Sequence, residues 1–189
     1  MPLGGKAAGG EWGLTRRERQ VLLLLVDGAT SAQIAHAMGI KEDTVNQHLN
    51  AARGKLGAQN RIELAALALR KEVVQLQEHT RVLVWEVSWT EPDEVGEAFL
   101  RYQPREAVRR YPEFRDWLDR SYSEFLPDWR NQFAPVIEAI EKSRHSDYPV
   151  GFKGEVEMPQ PAGRVSFEGS VEPLSESHFL LLLDSPLPT

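Results

Sequence analysis

The chain has 189 residues, an apolar fraction of 41% and no cysteine. That length suits one large or two small domains with real cores, and the absence of cysteine excludes disulfide frameworks, thiolate zinc sites and cysteine nucleophiles. The net charge of −6 divides unevenly, with ten Lys/Arg against eight Asp/Glu in residues 1–80 and twelve against twenty in residues 81–189. Aromatic residues divide the same way: Trp12 is the only one before residue 81, and fifteen follow. Two domains with different tasks are expected. The first is the better candidate for a polyanion, because phosphate affinity follows local charge rather than the total.

Residues 1–13 are glycine-rich and read as a disordered tail, without the apolar core of a signal peptide. Thr15-Arg16-Arg17-Glu18 forms a capping box, in which the threonine hydroxyl accepts from the third helical amide and the glutamate reaches back. Val21, Leu22, Leu24 and Leu25 supply the apolar face of that helix, and Gly28 stops it. Thr30 or Ser31 caps a second helix with Ile34, Ala35 and Met38 inward, and Gly39 ends it with Ile40 packing into the turn. A third helix is predicted from about Lys41 to Leu56, with Val45, Leu49, Ala52 and Leu56 on one face and Gly57 as its stop. Asn60 and Glu63 suggest another capping box opening a fourth helix, Arg61 to about Arg70, whose pattern continues toward Gln77. Three braced helices and a follower form the layout of a helix-turn-helix DNA reader.

Residues 14–71 resemble the LuxR-type (GerE-like) helix-turn-helix domain. The matching residues are Leu14-Thr15, Arg17-Glu18, Val21-Leu22, Gly28, Ile34-Ala35, Gly39-Ile40, Thr44-Val45, His48, Lys55-Leu56-Gly57, Asn60-Arg61 and Glu63-Leu64. The resemblance implies that the third helix enters the major groove of double-stranded DNA. It departs from the family at Lys41, which stands where serine usually caps the third helix, and at Asn46 and Asn50, where basic or small polar residues are common. Glu42 and Asp43 compensate at the first of these, since negative charge favours a helix N-terminus. Region 4 of bacterial sigma factors shares the architecture, and LNAARGKL is similar to the end of its recognition helix. His48 and the Asn60–Leu64 tail favour the LuxR type.

Asn46, Gln47 and Asn50 share one exposed face of the third helix. An amide can donate to and accept from adenine at once, so these three predict an A·T-containing half-site. Thr44, His48, Arg53, Lys55 and Arg61 surround the helix as candidate phosphate contacts, with Arg17 and Arg16 near the first helix.

In the acidic half, reached through the charged segment Lys71–His79, Arg81–Trp89 alternates as a strand should. Thr90-Glu91-Pro92-Asp93 then predicts the start of a helix running through about Gln103. Short helices punctuated by Pro104, Pro112, Pro127 and Pro135 follow, carrying Tyr111, Phe114, Trp117, Tyr122, Phe125, Trp129 and Phe133. These aromatics either line a small-molecule pocket or a dimer seam, or fill an ordinary core. Three alternating runs close the chain at Val150–Met158, Arg164–Val171 and His178–Asp184, as an antiparallel meander. Strand, helices and meander together resemble the order of a PAS-like sensor fold. FLLLLDSPLP is similar to a receiver's phosphoacceptor strand, but only five residues follow Asp184, too few for the βα units a receiver needs.

The expected fold class is therefore α+β: a four-helix domain over residues 14–79 and an acidic α+β domain with an antiparallel sheet over 80–189. VLLLLV and FLLLL fall far short of the roughly 20 apolar residues of a membrane span, so no membrane partner is expected. No metal-ligand spacing, phosphate loop or nucleophile elbow is present in the sequence, so neither a cofactor nor an enzymatic activity is expected. The reading is a soluble, cytoplasmic bacterial transcription regulator, homodimeric on paired half-sites, with a small-molecule ligand or RNA polymerase at its second domain. The competing expectation is a transcription adaptor or sigma-factor-like accessory protein acting through protein contacts. It is distinguished by weak, unselective DNA binding.

Overall fold

A computed structural model of the chain describes residues 12–74, 80–91, 93–104, 112–126, 128–158 and 163–184. The chain divides into two compact units, Met1–Leu76 and Gln77–Thr189. Most of the anticipated tail, and the stretch where the fourth helical pattern was expected to continue toward Gln77, lie outside the described residues.

Unit 1 is helical: α1 (Arg16–Val26), α2 (Ser31–Met38), α3 (Glu42–Leu56) and α4 (Arg61–Arg70). Each helix begins where a side chain can satisfy the open amides of its first turn. Thr15 and Glu18 form the anticipated capping box on α1, and Thr30 with Gln33 forms a second on α2. At α4 the Asn60 side chain accepts from the Glu63 amide, while Glu63 reaches one residue further back, to the Gln59 amide at 2.7 Å. Gly39 and Gly57 end α2 and α3 in the left-handed region, at φ 64° and 76°, where a Cβ is strained. The core between the helices comprises Val21, Leu22, Leu24, Ile34, Met38, Val45, Ala52 and Leu64, each at most 1% exposed.

Unit 2 is a five-stranded antiparallel sheet with helices. Its strands are β1 (Thr80–Glu91), β2 (Glu94–Tyr102), β3 (Val150–Met158), β4 (Gly163–Pro173) and β5 (His178–Asp184), in the order β2-β1-β5-β4-β3. The closing meander lies where alternation placed it. The helix expected from Thr90 to Gln103 is instead β2, paired with β1 through Trp85↔Leu100 and Val87↔Ala98. Asp93, in the left-handed region at φ 73°, permits the reversal between them. The glutamates, alanine and leucine of this segment favour a helix, but Ala98, Leu100 and Tyr102 are buried at a spacing of two. A free ladder edge on β1 and an apolar core beneath it outweigh local propensity.

Between β2 and β3 lie a 3-10 turn (Pro112–Trp117), α5 (Tyr122–Phe125), α6 (Trp129–Gln132) and α7 (Ala134–Ser143). α7 buries Val136, Ala139, Ile140 and Ser143, an i, i+3, i+4, i+7 stripe, and packs on β3 and β4. Of the aromatics in this segment, Tyr122 and Trp129 lie in the core, and Trp117 and Phe133 pack against it. The Trp85 ring meets those of Tyr122 at 4.7 Å, Phe133 at 5.4 Å and Trp129 at 6.5 Å, and only Phe133 of these is partly exposed. Burial pushes the Tyr122 phenol far above its ordinary range, so it stays neutral. Tyr111 and the side chains of Phe114 and Phe125 lie outside the described residues. No described helix is long and apolar enough to cross a membrane.

Candidate nucleic-acid interface

α3 has two chemically different faces. Val45, Leu49, Ala52 and Leu56 turn into the core of unit 1. Asn46, Gln47, Asn50 and Arg53 are exposed opposite them, while Thr44 and His48 are half-buried at the margins. The helix starts at Lys41, whose side chain makes no cap hydrogen bond, and Glu42 and Asp43 place two carboxylates at its positive end. The exposed face thus offers three amides and a guanidinium, groups that can meet base edges and phosphates in a groove.

α3 is fixed to α1 by an ion pair. Lys55 Nζ lies 2.8 Å from both Glu18 carboxylate oxygens, and Glu18 is only 5% exposed. The same carboxylate accepts the Thr15 amide at 2.7 Å, so it caps α1 and holds the end of α3 at once. Burial pushes the Glu18 carboxyl up, but the Lys55 and Thr15 bonds outweigh it and hold the group below its ordinary range. Lys55, expected at a phosphate, is engaged here instead.

Arg61 is engaged too. Its guanidinium donates to Ala29 O at 2.9 Å and to Ser31 Oγ at 2.7 Å, tying the start of α4 to the turn that opens α2. Ser31 Oγ donates in turn to Asn46 Oδ1 at 2.9 Å. Arg17, half-buried on α1, bonds Gln20 at 3.2 Å. Of the expected phosphate donors, Arg53 is therefore the exposed cation on the face itself.

Sequence reasoning noticed Glu18 only as a cap and did not assign a site role to Ser31. Local spacing carries no trace of either link, since Glu18 is 37 residues from Lys55, and Ser31 is 15 from Asn46 and 30 from Arg61. Among the described residues no group of three His, Asp or Glu side chains could hold a metal ion.

Residues 13–68 match the family model of bacterial regulatory proteins, luxR family. Spore germination protein GerE of Bacillus subtilis is 40% identical over 63 residues, which cover 33% of this chain and 85% of that protein. The transcriptional activator protein AnoR of Acinetobacter nosocomialis is 43% identical over 56 residues, but these cover only 30% of this chain and 24% of AnoR. Among solved structures, the Vibrio cholerae VqmA dimer shares 37% identity over 35% of this chain and 30% of that one, with a TM-score of 0.32. So loose a superposition bears no weight for unit 2.

Proposed function

We propose, for a chain that belongs to the luxR family of bacterial regulatory proteins, that it regulates transcription by sequence-selective binding of double-stranded DNA. The observation that carries this reading is the exposed face of α3, three amides and an arginine set over a helix clamped to its neighbour by the Glu18–Lys55 pair. In this reading α3 lies in the major groove. Gln47 and Asn50 face base edges with Asn46, and Thr44, His48, Arg53 and Arg17 face phosphates. Lys55 and Arg61 act from behind the face, holding it in place. Gln47 and Asn50 keep the bidentate chemistry that suits adenine.

The division of labour follows the chain's charge. We assign residues 14–79 to DNA and the acidic 80–189 to dimerisation and to sensing a small-molecule ligand or a protein such as RNA polymerase. A single antiparallel sheet with helices inserted between its second and third strands supports a PAS-like sensor for that part. Paired half-sites require two readers, because one small module buries too little surface for tight operator binding. α4 supports a homodimer: Ile62 is 84% and Leu69 46% exposed, one helical stripe apart with Ala65 and Ala66 between them. The task involves no chemistry on a substrate, and its setting is the cytoplasm.

Selection of bound sequences from a random duplex pool by the full chain tests the reading. A recurring motif whose affinity falls steeply with salt is expected. Equal, weak retention of all sequences sinks it and favours the adaptor.

A further inference from the structure

Arg61, Ser31 and Asn46 form a directed chain of hydrogen bonds that ends on the candidate reading face. Its direction is set at one end. A guanidinium has five donors and no acceptor, so Ser31 Oγ must accept from Arg61. The serine hydroxyl has one proton to give, and it goes to Asn46 Oδ1. The guanidinium is itself pinned by Ala29 O, with its two acceptors on either side of Thr30. Charge on the first donor polarises the hydroxyl and strengthens its bond to the amide.

This chain is not needed for capping. The oxygen that caps α2 belongs to Thr30, which accepts from the Gln33 amide. Ser31 follows it, half-buried, with its hydroxyl turned to α3, and Asn46 is exposed. The link therefore acts on a side chain at the surface rather than on the fold of the helix it starts.

Its consequence is chemical. Adenine presents an N6 amino donor beside the N7 acceptor, so an asparagine reads it by accepting with its carbonyl and donating with its nitrogen. Ser31 engages one of the two lone pairs of Asn46 Oδ1 and holds the carbonyl toward α2, whereas the amide N–H groups make no bond among the described residues. Guanine presents O6 and N7, both acceptors, and rewards a side chain that only donates. Exclusion of water from the groove removes the solvent that competes for the Ser31 bond.

Resting on the DNA-binding reading above, we infer that Ser31 is a positioning residue for specificity: the Arg61–Ser31–Asn46 chain holds the Asn46 carbonyl toward α2, so that the side chain meets its base pair chiefly as a donor and selects guanine over adenine there. Gln47 and Asn50 keep both amide functions, so a single helix face combines two kinds of amide reader.

The test is site selection and competition binding with the full chain, comparing wild type, Asn46→Ala, Ser31→Ala and Ser31→Thr. Asn46→Ala identifies the base pair by abolishing preference there. At that base pair the wild type is expected to take guanine. Ser31→Ala, which frees the carbonyl, moves the guanine-to-adenine ratio toward adenine by roughly five- to tenfold, near the lower end of one bidentate contact's discrimination. Ser31→Thr, keeping the hydroxyl, retains the wild-type ratio. Circular dichroism of Ser31→Ala matching wild type separates this effect from misfolding. Selective binding with an unchanged ratio in Ser31→Ala, a wild-type choice of adenine there, or no base pair that responds to Asn46→Ala overturns the inference alone. Absence of any selective DNA binding by the wild type overturns the functional reading, and the inference with it.

Discussion

Glu18 and Lys55 concentrate two demands on one carboxylate. It satisfies the amide of Thr15, the residue that caps α1, and anchors the C-terminal turn of the helix whose outer face we assign to DNA. Removing the cation leaves a buried charge with half its partners, which costs about 1–3 kcal/mol. Lys55→Met is therefore expected to lower the unfolding free energy of unit 1 by about that amount, read by far-ultraviolet circular dichroism in urea; an unchanged midpoint would show the pair to be dispensable. The pH dependence follows from the lowered carboxyl. The folded state binds fewer protons than the unfolded one there, so the contribution is complete above the ordinary value of 4.5 and disappears as the pH falls through the lower folded value. Lys55→Met should flatten that acid limb. Arg53, exposed on the reading face, predicts a different phenotype. Arg53→Gln should weaken binding to all sequences alike and reduce the salt slope by about 1, with stability unchanged. A sequence-dependent loss would reassign Arg53 to base reading.

At the scale of elements, local chemistry decides the helices and long-range pairing decides the sheet. Thr15, Thr30 and Asn60 each mark a helix start that the sequence announces within four residues, because a cap and its amide are neighbours in the chain. Thr30→Ala should cost about 1 kcal/mol by losing one such cap, measured as a shift of the same urea midpoint. β2 shows the opposite case. Its composition predicts a helix, and its two-residue burial spacing is decided by the strand beside it. Gly169 on β4 makes the point at a single position: a Cβ there would lie 1.9 Å from Leu182 O on β5. Gly169→Ala should destabilise unit 2 by more than about 2 kcal/mol, because backbone rather than a flexible side chain must move. Four of the five tryptophans lie in residues 77–189, so tryptophan fluorescence during thermal unfolding reads this directly. A melting temperature equal to wild type would mean the β4–β5 pairing can relax around a methyl group.

For the whole molecule, the acidic residues after position 81 and the mild basic excess before it predict a DNA affinity that rests on a few local contacts. The homodimer we propose rests on the exposed apolar stripe of α4, and light scattering checks it. The full chain is expected at twice the monomer mass, and Ile62→Glu with Leu69→Glu at the monomer mass with reduced operator affinity. A monomeric wild type, free and on DNA, removes the homodimer.

The division between what sequence and tertiary structure decide runs along the distance between partners. The four helices of unit 1, their stops at Gly39 and Gly57, and the outward set Asn46, Gln47 and Asn50 were all legible, because periodicity, caps and left-handed glycines act over one to four residues. The closing meander was legible for the same reason. Only the folded chain shows that Lys55 belongs to Glu18, that Arg61 and Ser31 hold the Asn46 carbonyl, and that Tyr122, Trp129 and Phe133 close on Trp85. Those partners are separated by fifteen residues or more, and no local pattern encodes a contact that packing alone creates. Residue type and spacing thus predicted a reader of DNA, whereas what each amide has left to offer a base is decided in three dimensions.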